Sequence, residues 1–130
     1  MEKKRIVSEK VYKPDLPVSM GIKVTGGSLI FLSGQIPVDS KGELVGKDDV
    51  EAQCKQVFEN MKAILKAAGA TFDDIINITV YTSSIDYFPK IFDVRKQYFK
   101  GDCPPTSAGL VVSLAKKEWL VEIDAIAVIE

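Results

Sequence analysis

The sequence predicts an α+β domain in two layers, a six-stranded mixed sheet with two helices on one face. Three observations predict it. Residues from Val50 to Ala68 repeat apolar side chains at intervals of three and four, the mark of a helix with one buried face. The last stretch, Pro104 to Glu130, holds two extended apolar runs, and the second is apolar on both sides towards its end. Between these come a short alternating segment and a second helical segment, so the order is three strands, helix, strand, helix, two strands. Two crossovers then carry the two helices, most simply to the same face.

Taken in order, residues 4–12 alternate weakly and read as an edge strand. Pro14, Asp15 and Pro17 break the chain into a loop. Met20, Ile22 and Val24 alternate with polar or small residues, and Gly26-Gly27 suits a tight turn into a third strand, Leu29 to Gln35. That strand ends in Ser33-Gly34-Gln35, where Gly34 would permit close approach of a ligand or of another backbone, or simply mark a bulge before Pro37. Asp48 and Glu51 form a capping box for the long helix, and Gly69 stops it. Its buried stripe is Val50, Cys54, Val57, Met61, Ile64, Leu65 and Ala68, which makes Cys54 a core residue. Ile76, Ile78 and Val80 mark the fourth strand. The second helix is expected from Phe88 to Lys100, with Asp86 as N-cap and Pro89 in its first turn. The final two runs read as a central hairpin turning at Lys116, Lys117 and Glu118.

The 130 residues suit one domain spanning 1–130. A net charge of −1 gives no electrostatic case for nucleic acid. No apolar run approaches the roughly 18 residues that a membrane span needs. The N-terminus lacks the apolar core of a secretion signal, and two distant cysteines make no disulfide framework, so a cytoplasmic location is expected. The chain has no histidine, which removes His-based triads, histidine proton shuttles and the usual zinc sites. No metal or cofactor is expected.

Two charges stand out. Arg95 interrupts the apolar stripe Phe88, Ile91, Phe92, Tyr98, Phe99. It either snorkels, with its stem on the core and its head in water, or faces a cleft where its fork suits a carboxylate. Glu122 and Asp124 share one face of a largely buried strand. They either sit where that strand opens to solvent or need donors nearby. Cys103, before the double proline, is a loop thiol.

The segments IFLSGQIPVD, KAILKAAGA, INITVYTSSIDYF and PPTSAGLVVSLAKKEWLVEIDAIA together resemble the Rid family over nearly the whole chain. These are reactive-intermediate imine deaminases, also called L-PSP endoribonucleases or translation inhibitors. The resemblance implies a chorismate-mutase-like fold, a homotrimer, and small ligands held in clefts between subunits. It also implies hydrolysis of 2-imino and enamino acids to 2-oxo acids and ammonia, with an arginine on the substrate carboxylate and a glutamate handling water. The family signature Pro-Ala-Arg-Ser is Pro105-Thr106-Ser107-Ala108 here, and Val-Glu-Ile-Glu is Val121-Glu122-Ile123-Asp124. Glu122 is therefore kept as the catalytic candidate, while Ser107 stands in the arginine's place and Gly109 in that of a frequent cysteine. The usual Asn-x-x-Tyr is Phe92-x-x-Arg95, and the tyrosine of a Gly-Pro-Tyr segment falls at about Met20. Ser33 and Gly34 are retained.

The expected ligand-binding set is thus Met20, Ser33, Gly34, Phe92, Arg95, Ser107 and Gly109, around a small carboxylate-bearing metabolite. Three functions follow. One is an imine or enamine deaminase with altered or weakened activity, in which Arg95 takes over the carboxylate. Another is a binding or regulatory trimer that has lost the reaction. The remotest is the ribonuclease of the older name, against which the acidic pI and the absence of a basic stripe both weigh.

Overall fold

The computed structural model describes residues 1–130. The elements are β1 (Glu2–Ile6), β2 (Gly21–Thr25), β3 (Ser28–Gln35), α1 (Val50–Ala67), β4 (Ile75–Thr82), α2 (Phe88–Arg95), β5 (Thr106–Val111) and β6 (Val121–Ile129). The α+β class and the two helices are as expected, and the sheet is mixed. The six strands do not form one sheet, however. Four make a sheet in the order β3-β6-β4-β5, and β1-β2 forms a separate antiparallel ribbon. The ribbon is tied to the body by side chains: Lys3 donates to the Asp73 carbonyl, and Arg5 to those of Asp102 and Val18.

The expected central hairpin is absent. β4 lies between β5 and β6, parallel to β5 and antiparallel to β6. A doubly apolar strand must be central, but its apolar pattern does not name its neighbours. β6 is indeed central, and its Val121, Ile123, Ala125 and Ala127 alternate into the core against α1 and α2.

α1 begins one residue later than its capping box suggested. Asp49 is the N-cap and accepts from the Ala52 amide, while Asp48 takes a positive φ of 58°. Gly69 closes the helix at φ 74°, where a side chain would be strained. Ile64 and Ala68 lie on the surface, and Gln53 and Phe58 are buried in their stead. Phe58 stacks on Tyr98 with ring centroids 4.7 Å apart. α2 stops at Arg95 instead of Lys100, and Ser84 rather than Asp86 caps the short 3-10 turn that leads into it. Trp119 precedes β6 instead of belonging to it. No helix is long and apolar enough to cross a membrane.

Helices cover one sheet face only. On the other, Leu29 and Phe31 are 58% and 71% exposed, and Leu110 is 40% exposed. Large apolar side chains left on an open sheet face are expected to be covered by something else.

Candidate functional site

Register decides which side chains meet. Ser107 and Gly109 of β5 pair with Ile78 and Val80 of β4, and these pair with Ala125 and Ile123 of β6. Directly opposed residues project to the same side, so Ser107 and Gly109 belong to the helix-covered face. Arg95 arrives on that face from the last turn of α2. Its side chain is 2% exposed, so it does not snorkel. Nη1 donates to Ser107 Oγ at 3.0 Å and Nη2 to the Pro17 carbonyl at 3.0 Å. A guanidinium carries five N–H donors, so about three remain uncommitted, and buried Nε is one of them. No carboxylate lies within salt-bridge distance of it. Burial pulls its pKa down to about 10, which leaves it cationic at neutral pH.

Arg95 lines a cleft of about 220 Å³, together with Met20, Phe92, Ser107 and Gly109. The rest of the wall is Val80 and Ala108 of the sheet and Pro14, Leu16 and Val18 of the proline-bearing loop. That segment is fastened by Ser19, whose amide and hydroxyl donate to the carbonyls of Pro105 and Pro104. Gly109 has a local reason to lack a side chain: its Cβ would meet Phe88 Cε1 at 2.9 Å. The Phe88 ring fills that space and stacks on Phe92 at 5.4 Å. The cleft is therefore an apolar slot with one cation set into its wall.

Glu122 lies elsewhere. It pairs with Tyr81, and Asp124 with Thr79, so both acids project from the open face. The shift in β3 pairing between Leu32 and Gln35 brings Gly34 against the Glu122 carboxylate, where any Cβ would collide with it. Burial, and then the charge of Asp124, raises the Glu122 carboxyl above the ordinary range. Asp124 in turn accepts a 3.1 Å hydrogen bond from the Tyr81 hydroxyl, which raises the phenol. Ser33, the neighbour of Gly34 in β3, is exposed.

The residues singled out in the sequence thus fall into two sets on opposite faces of one sheet. Met20, Phe92, Arg95, Ser107 and Gly109 form the cleft, and Ser33, Gly34 and Glu122 form the open-face cluster. Sequence reasoning missed the Pro17 carbonyl and the Tyr81–Asp124 pair. The proline-bounded loop was a signal for the first, and the second required the register. Cys54 is fully buried, and its thiol is pushed up to about 12 by burial, as suits a core residue.

The fold and the site define a small two-layer α+β protein with a buried cation at a cleft and an uncovered sheet face. The chain belongs to the Rid and RutC proteins: residues 10–129 match the family described as Endoribonuclease L-PSP. It is 44% identical over 128 residues to a RutC family protein of Pyrococcus abyssi, covering 98% of both chains. It is 35% identical to a 2-iminobutanoate/2-iminopropanoate deaminase of Salmonella typhimurium, covering 94% of this chain and 98% of that one. Among solved structures, a conserved Rid family protein of Yersinia pestis superposes with a TM-score of 0.88. The two are 31% identical, over 99% of this chain and 100% of the other.

Proposed function

We propose that this chain binds small 2-oxo and 2-imino acids by their carboxylate and hydrolyses the imines to 2-oxo acids and ammonia. Arg95, entering from α2, replaces the arginine that the family signature carries at the position of Ser107. The observation that carries this reading is a buried guanidinium at a cleft, held on two sides by neutral acceptors and lacking any acidic partner. Such a group gains most from a ligand anion.

In this reading the assembly is a homotrimer, and the open face of one copy supplies Glu122 to the cleft of the next. Two supports are the exposure of Leu29 and Phe31 and the separation of the two site halves within one chain. Arg95 fixes the substrate carboxylate. Glu122, its proton affinity raised by burial, accepts a proton as water attacks the imine carbon. That proton passes to the imine nitrogen to give a neutral carbinolamine, which collapses as its hydroxyl proton follows to nitrogen; the C–N bond then breaks to release ammonia and leave the carbonyl. One water is consumed, and the 2-oxo acid keeps the carboxylate.

The relatives named for 2-iminobutanoate and 2-iminopropanoate deamination support the reaction class. The second reading, a ligand-binding trimer without turnover, is favoured by one observation. Two of the guanidinium's donors are already spent on Ser107 and Pro17, so it is less free to orient a substrate. Pyruvate release from a dehydratase-generated 2-aminoacrylate separates the two. Turnover clearly above the uncatalysed rate, and below that of an arginine-bearing relative, is expected. Binding of 2-oxobutyrate with no turnover would establish the second reading.

A further inference from the structure

A second concave site lies at the far end of β4 and β5, away from Arg95. We infer that it binds a ligand made of an anionic group on a flat apolar ring. The cleft measures about 420 Å³, within the range of roughly 300–1,000 Å³ usual for small-molecule sites. Its walls are Lys116, Lys117, Trp119, the hydroxyl-bearing Ser83 and Ser113, and apolar Val111. Neither lysine has an acid within salt-bridge distance, so both charges are uncompensated. The Lys116 ammonium stands 5.5 Å from the centre of the Trp119 ring. The one acid of the loop, Glu118, is exposed and does not line the cleft.

What distinguishes this cleft from surface lysines near an aromatic is the frame beneath it. Gln53 of α1 is fully buried, and all of its polar work goes into the chain on either side of Trp119 and the loop before α1. Its Nε2 donates to the carbonyls of Glu118 and Gly46, at 2.9 and 3.0 Å, and its Oε1 accepts from the Leu120 amide at 2.7 Å. The Leu120 carbonyl accepts from Thr82 Oγ1 at 2.7 Å and from the Ser83 amide at 3.2 Å. Trp119 is therefore presented from a backbone fixed on both sides, and its indole is left half-buried. A rigid aromatic platform with Lys116 over its ring, and with Lys117 and two hydroxyls beside it, neither lysine paired to an acid, matches an aromatic carboxylate or an aromatic phosphate. The anion would take the lysines, and the ring would lie on the indole.

Trp119 is the only tryptophan, so its emission reports on this site alone. The test titrates the full-length protein with phenyl phosphate and benzoate, and with the ringless methyl phosphate and acetate. Saturable changes are expected for at least one ringed probe, at least tenfold tighter than for its ringless counterpart. The phosphate and carboxylate arms identify which anion is preferred. The double variant Lys116→Met/Lys117→Met should weaken that binding at least tenfold, and Arg95→Met should leave it unchanged. Any of three results overturns the inference: no saturable change, equal affinity with and without the ring, or a response that survives loss of the lysines. A response abolished by Arg95→Met would place the probe in the other cleft and overturn it as well.

Discussion

The guanidinium of Arg95 and the hydroxyl of Ser107 lie 3.0 Å apart, one on α2 and one on β5. The family signature places its positive charge on the strand. Here the helix delivers a cation to that strand position, and the strand contributes a small neutral acceptor. On the proposed reading, Ser107 is a positioning residue for Arg95 rather than a substitute for an arginine.

Arg95→Met tests the anchor. Methionine keeps the apolar stem and removes a buried charge that has no acidic partner. Thermal stability should therefore stay equal or rise. Affinity for 2-oxobutyrate, read by calorimetric titration, should fall about tenfold or more, roughly 1.4 kcal/mol. Unchanged affinity would remove Arg95 from the ligand site.

Ser107→Ala tests the positioning. It removes one acceptor from the guanidinium, a hydrogen bond to a charged group worth about 1.5–3 kcal/mol. Weaker binding of 2-oxobutyrate is expected, with KM rising more than kcat falls. Ser107→Thr keeps a hydroxyl and should recover most of the loss. Equal behaviour of the two variants would reduce Ser107 to packing.

Gly34→Ala probes the other half. The new methyl would collide with the Glu122 carboxylate and push it aside. Imine hydrolysis should be lost while binding of the 2-oxo acid survives, and the same split is expected of Glu122→Gln. Full activity in Gly34→Ala would show that the carboxylate's position does not matter.

The raised Glu122 carboxyl carries a signed prediction. The folded chain holds this proton more tightly than the unfolded chain does, so its contribution to stability is full below the ordinary value of 4.5. That contribution is lost as pH rises through the raised folded value. Glu122→Gln should abolish this fall. Urea unfolding of both proteins across about pH 4–7 tests it, and parallel curves would refute it.

The uncovered sheet face leads to the assembly prediction. Sedimentation equilibrium at micromolar concentration should give three times the 14.3 kDa chain mass. Phe31→Glu, at a side chain 71% exposed in the single chain, should dissociate it. A monomer mass for the unaltered protein would remove both the trimer and the shared site.

Much of the fold was legible in the sequence, because local physics writes it there. The three-and-four spacing fixed α1, and Gly69 its end. Alternation in β6 fixed the face that Ile123 and Ala125 turn to the core. Arg95 and Glu122 stood out because charges seldom occupy apolar faces without a reason. What the sequence could not determine was every relationship between segments distant along the chain. The apolar run at Leu110 and Val111 showed a strand, but only tertiary structure set it beside β4 instead of β6. The stripe of α2 left Arg95 between water and a cleft. The choice was made by Ser107 on a strand and by a carbonyl at Pro17, 78 residues earlier in the chain. Arg95, on α2, and Glu122, on β6, stand on opposite faces of one sheet. That is a matter of register, which the pairing of strands decides and no single segment encodes.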